Sequence, residues 1–180
     1  EINWEASQDG SLRPTAIFDS VELSGVTISR ASAYNAGYVR DNNLGKGAKV
    51  KIIRSGEVIP KIIEVLSCNT PDYPETEYVW DANQTHIYLK DKDNNKTVRI
   101  KQILYFCKTI DIAFFKEGLI SKAFDAGCDS IAKILMLDEQ SLQDYAIEGV
   151  KSKTSTKIIK SIKSKLAEST LGDFAAATPY

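Results

Sequence analysis

The hydrophobic pattern of this chain changes its period once, and that change limits the possible folds more than any other feature. Up to about residue 66 the apolar residues come in short runs. Ile2 to Ser7, Leu12 to Phe18 and Val21 to Ser29 are separated by the turn signals Asp9-Gly10, Asp19-Ser20 and Ser24-Gly25. Lys49-Val50-Lys51-Ile52 alternates as a half-buried strand should, Ser55-Gly56 marks a turn, and Val58 to Leu66 resumes a β-branched run. Towards the C-terminus the period becomes helical. Ile131, Ile134, Leu135, Leu137, Leu142 and Tyr145 recur at helical spacing, as do Ile158, Ile159, Ile162 and Leu166. Asp138 and Ser141 read as helix starts, and Gly127 and Gly149 as breaks.

These blocks predict a multi-domain chain, β then α. Residues 1–66 read as a five-stranded Greek-key barrel of the OB type, with a short helix and loop over Arg30 to Asn43. Residues 67–104 read as a small β insert. It has a turn-rich linker at Asn69 to Pro74, a hairpin from Tyr78-Val79-Trp80 to Thr85–Leu89, a turn at Asp91 to Asn95 and a third strand at Thr97 to Ile100. Residues 105–180 read as a helical domain. It holds two helix-turn-helix units, near 112–124 and 145–165, that resemble each other weakly.

Composition narrows the setting. With 180 residues, 43% of them apolar, the chain has enough material for a packed core, and no stretch approaches the length of a membrane helix. Three widely spaced Cys make no disulfide framework, which predicts a reducing, cytoplasmic compartment. There is neither a signal pattern nor an initiator Met, so the chain is expected to begin inside a longer polypeptide. The net charge of −1 excludes a uniformly basic nucleic-acid binder but not local patches. One such patch stands out: Gly149 to Ala167 contains six Lys and no acid.

Three ordered motifs carry a specific resemblance. They are Gly10-Ser11-Leu12-Arg13-Pro14 within Trp4 to Ala16, Val26-Thr27-Ile28-Ser29-Arg30-Ala31-Ser32-Ala33-Tyr34-Asn35, and Gly47-Ala48-Lys49-Val50 running to Arg54-Ser55-Gly56-Glu57-Val58-Ile59-Pro60. In order and spacing, over about 65 residues, they resemble the OB domain of NAD-dependent DNA ligases and the sequence that leads into it. Further on, Tyr105-Phe106-Cys107 with Ile110-Asp111-Ile112, and Ile147 to Ser155, are similar to that family's helix-hairpin-helix domain. The family domain has four hairpins, and two are recognisable here. The departures point to a divergent ligase of viral or phage type. No CxxC is present, and only Cys68 lies near a position of the family's four-Cys zinc module, so no zinc is expected. Lys151 stands where the second hairpin has its second glycine, Phe114 and Lys116 replace glycines of the first, and Gln8-Asp9 replaces an Arg-Thr pair.

The resemblance implies the DNA-clamping part of an enzyme that seals nicks between 3′-OH and 5′-phosphate ends in duplex DNA through an enzyme-AMP intermediate, using NAD and magnesium. The family's Lys-x-Asp-Gly adenylation motif is absent, so no catalytic residue is assigned to this chain. The NAD site is expected in an adenylation domain of the same protein or a partner chain. Nicked double-stranded DNA is the expected partner, and no membrane is. By resemblance, Arg54 contacts the DNA, and Val58 and Ile59 press into the minor groove. From the pattern alone, the latter two read as core of the last strands. Gly149, Lys151, Lys153 and Lys157 would present backbone N–H groups and charge to phosphates, against the plainer reading of a solvated lysine face. His86, the only His, reads as structural. The alternatives are a non-catalytic OB and helix-hairpin-helix module of a repair or replication protein, and the OB fold of an ATP-dependent ligase or capping enzyme.

Overall fold

The computed structural model describes residues 1–23, 25–55, 59–145 and 152–178, without the side chains of residues 54, 55, 59, 152 and 153. It forms two compact units, Glu1–Lys92 and Asp93–Tyr180. The first unit is built on β2 (Ser11–Leu23), a 13-residue strand. β1 (Ile2–Ala6) runs antiparallel along one edge, pairing Ile2 with Ala16 and Ala6 with Leu12. The other edge is shared. β3 (Val26–Ser32) takes its later part, Thr15 opposite Ser32 and Leu23 opposite Val26. The short β7 (Ile87–Leu89) takes its start, Ser11 opposite Tyr88. A two-residue connection at Gly25, with φ +74°, closes the β2–β3 hairpin.

β4 (Lys49–Ser55) and β5 (Ile59–Ser67) form a second hairpin, and β5 joins β3 in parallel at Ser32–Lys61. The order β4-β5-β3-β2-β1, with one helix between β3 and β4, is the strand order of an OB fold. That helix, α1 (Ala36–Asp41), is capped by the Asn35 side chain, which accepts from the Tyr38 amide at 2.8 Å. Beneath the sheet, Ala16, Ala31, Ala33, Val39, Leu44 and Ile62 form a small core.

Three expectations are corrected. The sheet has seven strands, with β7 and β6 added on the edge of β2 beyond β3, and its described pairings form an open path rather than a five-stranded barrel, since among the described residues no pairing joins β1 to β4. Asp19-Ser20 is no turn: β2 passes through it with a shift in register between Ile17 and Val21. Thr97 to Ile100 is helical, and the second unit therefore begins ahead of the boundary expected at 104. α2 (Lys96–Thr109) is started by the Asn95 side chain, which accepts from the Val98 amide at 3.1 Å. The Asp91–Asn95 segment that read as a strand-flanking turn thus ends in a helix cap. Its β-branched residues are tolerated because Val98, Ile100, Ile103 and Phe106 face the core.

The segment after β5 is fastened to the loop after α1 by backbone bonds. Asn69 donates to the Asn43 carbonyl at 2.8 Å and Asp72 to that of Leu44 at 3.0 Å. The two backbones pass so closely that a Cβ on Gly45 would lie 1.8 Å from the Thr70 carbonyl oxygen. β6 (Tyr78–Trp80) then pairs with β7. The Leu89 amide donates to Gly10 at 2.9 Å, and the Gly37 amide donates to Thr85 at 2.9 Å. Tyr73 lies among Trp4, Tyr78 and Trp80 at centroid distances of 6.4, 6.0 and 6.2 Å. Arg40 covers Trp80 at 5.1 Å.

In the second unit α3 (Glu117–Asp125), α4 (Ile131–Leu135), α5 (Glu139–Asp144), α6 (Ser152–Glu168) and α7 (Leu171–Ala177) follow α2. Phe106, Ile120, Ile134, Leu142, Ile158 and Ile162 form the centre of its core. The expected helix start at Asp138 is a capping box with Ser141. Gly127, at φ +100°, ends α3, with the Cys128 amide returning to Ala123 at 2.8 Å.

Two substitutions test this backbone account. Gly45→Ala forces apart two hydrogen-bonded segments and should cost about 1–3 kcal/mol in urea unfolding. Phe114 holds φ +69° and is 51% exposed. Phe114→Gly should leave stability unchanged or raise it by up to about 1 kcal/mol, since glycine adopts that conformation without strain.

Candidate nucleic-acid interface

The sequence places its candidate contacts in two regions. In the first unit, Arg54 stands near the end of β4, its backbone opposite Pro60, and Ile59 begins β5 opposite Ser55. Their side chains, and Val58 as a whole, lie outside the described residues. In the second unit, Gly149 and Lys151 also lie outside them, and Lys153 is described only as backbone in the first turn of α6. Lys157 is exposed on that helix, as are Lys160 and Lys163, while Ile158, Ile159 and Ile162 are buried. Lys157, Lys160 and Lys163 therefore lie on the solvent face of an amphipathic helix.

Lys165 stands apart from that face. It bridges Asp111 at 3.1 Å and Glu168 at 3.4 Å. Together with the Ala113 amide, which donates to Ser161 Oγ at 2.8 Å, it ties the α2–α3 loop to α6. That loop has left-handed residues at Asp111 and Phe114, the latter where the resemblance implies a glycine.

The turn before β2 explains Asp9. Its carboxylate accepts from the Ser7 hydroxyl and from the Ser11 amide at 3.0 Å. Burial pulls its pKa up, and these hydrogen bonds outweigh that and hold it below the usual value. Asp9 is thus committed to building the turn. His86 has Nδ1 3.2 Å from Asp81 Oδ2. The Asp81 carboxyl is held low, first by the Thr85 amide and also by His86.

No metal centre is formed among the described residues by three or more His, Cys, Asp or Glu. Cys68 is exposed, whereas Cys107 and Cys128 are buried in the helical core. Burial, with the neighbouring Cys128, pushes the Cys107 thiol up to about 12, and burial pushes Cys128 up to about 11. Both are inert thiols at neutral pH.

A feature that sequence reasoning missed is a groove of about 950 Å³ across β2, β3 and β7. Register explains its lining. Ser11, Arg13, Thr15 and Ile17 alternate onto one face of β2, with Tyr88 beside Ser11, Ser32 beside Thr15 and Arg30 beside Ile17. Ala16 and Ala31 point the other way, into the core. Lys61, beside Ser32 on β5, continues the cationic row. Among the described residues Arg13 and Arg30 are exposed and form no ion pair. The only sequence signal for this face was an arginine two residues from a serine or threonine on each strand, which strand alternation alone does not single out.

No helix among the described residues is long and apolar enough to cross a membrane. The comparisons with known proteins agree with the strand order. Residues 1–73 match the family described as the NAD-dependent DNA ligase OB-fold domain. A DNA ligase of Acanthamoeba polyphaga mimivirus is 37% identical over 166 residues, 92% of this chain and 26% of that protein. A DNA ligase of Desulfatibacillum aliphaticivorans is 31% identical over 93% of the chain and 27% of its own length. A DNA ligase of Clostridium botulinum is 29% identical over 91% and 26%. The chain thus spans about a quarter of the length of these relatives. Over most of its length the chain is similar to a part of DNA ligases, and its first 73 residues match the OB-fold domain of the NAD-dependent type.

Proposed function

We propose that this chain is the DNA-clamping part of an NAD-dependent ligase that seals nicks between 3′-OH and 5′-phosphate ends in duplex DNA. The observation that carries the reading is the family match at residues 1–73, joined to similarity, across 92% of the chain, to about a quarter of a DNA ligase. The adenylation chemistry, with its NAD and magnesium, belongs to residues elsewhere in the protein or in a partner chain. This chain supplies no step of it, since it carries no Lys-x-Asp-Gly. It works without zinc, in a cytoplasmic setting. Its own residues grip. In the first unit Arg54 approaches the backbone, and Val58 and Ile59 enter the minor groove, where apolar side chains widen and bend the duplex. In the second, a helix-hairpin-helix arrangement aims the backbone at Gly149 and Lys151 towards a phosphate. Lys153 and Lys157 add charge without reading sequence. The exposed lysine face of α6, free of acids from Gly149 to Ala167, supports this.

Two experiments test the grip. Binding to a nicked duplex should be tolerant of sequence and fall steeply with salt. Lys151→Glu with Lys153→Glu should flatten the slope of log K against log salt by roughly 1 unit per lost contact. An unchanged slope would make the lysine face merely solvated. Val58→Ala with Ile59→Ala should change folding by no more than about 0.5 kcal/mol each and weaken nicked-duplex binding. A loss of about 2–5 kcal/mol with unchanged affinity per folded molecule would assign both residues to the core.

A further inference from the structure

The loop between α2 and α3 presents one side chain that the packing of the second unit does not use. Phe114 is 51% exposed on a left-handed backbone at φ +69°. A bulky residue held in that conformation is costly, and such strain collects where a side chain must be presented to a ligand. The loop around it is firmly held. The Ile112 amide donates to Cys107 and the Ala113 amide to Ser161 Oγ, both at 2.8 Å. The Lys116 amide returns to the Phe114 carbonyl at 3.1 Å, and Lys165 bridges to Asp111 at 3.1 Å. Ile112 and Phe115 are buried to either side. Phe114 alone turns its ring outward, at the rim of a hollow of about 490 Å³, and no other ring packs on it among the described residues. A glycine there, as the resemblance implies, would present nothing.

The loop is anchored beside the lysine face of α6. Ser161, which holds the Ala113 amide, lies one helical turn beyond the exposed Lys157, about 6 Å along the axis, and next to Lys160 in the chain. Lys108 and Lys116 line the same hollow as Phe114, are exposed, and form no ion pair among the described residues. Asp111 is taken up by Lys165, so Glu117 is the one acid in that lining without a cation. A rigid apolar side chain with cations to either side suits a groove bordered by two rows of phosphates. Apolar wedges that enter the minor groove part a base step and kink the duplex. We infer that Phe114 is such a wedge, inserting at a base step of the bound duplex while Lys108, Lys116 and Lys157 meet the flanking phosphates. This inference rests on the duplex-clamp reading and adds a different action to it. The grip assigned to Gly149 and Lys151 touches the backbone and leaves the bases stacked, whereas Phe114 unstacks them.

The test uses the full chain and a nicked duplex carrying 2-aminopurine, which brightens when unstacked, at one step at a time along the duplex. Binding is followed separately by the anisotropy of a terminal dye. At saturating protein the fluorescence should rise at a particular step. Phe114→Gly should abolish that rise and weaken binding by about tenfold, with a melting temperature unchanged or raised. Phe114→Asn, which also tolerates a left-handed backbone, should do the same, so the outcome does not hang on one variant. Phe114→Leu should keep much of the rise. Val58→Ala with Ile59→Ala, in the other unit, should leave the rise at that step in place. A bound duplex that brightens at no step, or brightens equally at every step with Phe114→Gly, overturns the inference and leaves the clamp standing. A duplex that does not bind the unaltered chain overturns the clamp reading and this inference together.

Discussion

The first unit depends on one strand being shared. β2 gives one edge to β1 and divides the other between β3 and β7. Its first seven residues serve all three partners, and a register shift between Ile17 and Val21 bends it where it runs on with β3 alone. The same division opens the groove, because β3 and β7 meet β2 at different heights and leave its outer face uncovered between them. A strand committed on both edges also holds its side chains in fixed positions. Arg13 and Thr15 are therefore placed by the ladder rather than by their own contacts.

The second consequence concerns the hairpin β6–β7. Where the resemblance implies a zinc module, this chain has one exposed Cys and a set of ordinary interactions. Backbone bonds at Gly10, Gly37, Asn43 and Leu44 fasten the segment along its length. The rings of Trp4, Tyr73, Tyr78 and Trp80 fill the space between, and Trp4 Nε1 donates to the Asp72 carbonyl at 2.9 Å. Glycine is required at 45 because two backbones touch there, which is a contact rather than a turn. An aromatic cluster with paired backbone can fix a small hairpin that would be marginal alone.

Much of this was legible in the residues. Strand alternation marked β4 and β5, and helical spacing with Asp138 marked the later helices. The motifs around Gly10 and from Val26 to Pro60 pointed to the OB fold that the family match supports. What was missed has local physical causes. Asp19-Ser20 carries turn residues, yet the pairing of Val21 with Ile28 pulls the chain back into the ladder. Thr97, Val98 and Ile100 have strand propensity, and a single cap at Asn95 with a buried face overrides it. The groove escaped because it is made by the register between paired strands, and one-dimensional patterns do not report which residues lie side by side. The candidate contacts Val58, Gly149 and Lys151 came from resemblance, and they remain proposals.

The central claim is that backbone pairing with β2 holds the hairpin in the sheet. Amide hydrogen exchange measured with and without a strong zinc chelator tests it directly. The Leu89 amide, bonded to Gly10, should be protected equally in both, along with the amides of β2 that pair with β3. Fast exchange at Leu89 on chelation, with β2 and β3 still protected, would contradict the account and place a metal at the hairpin.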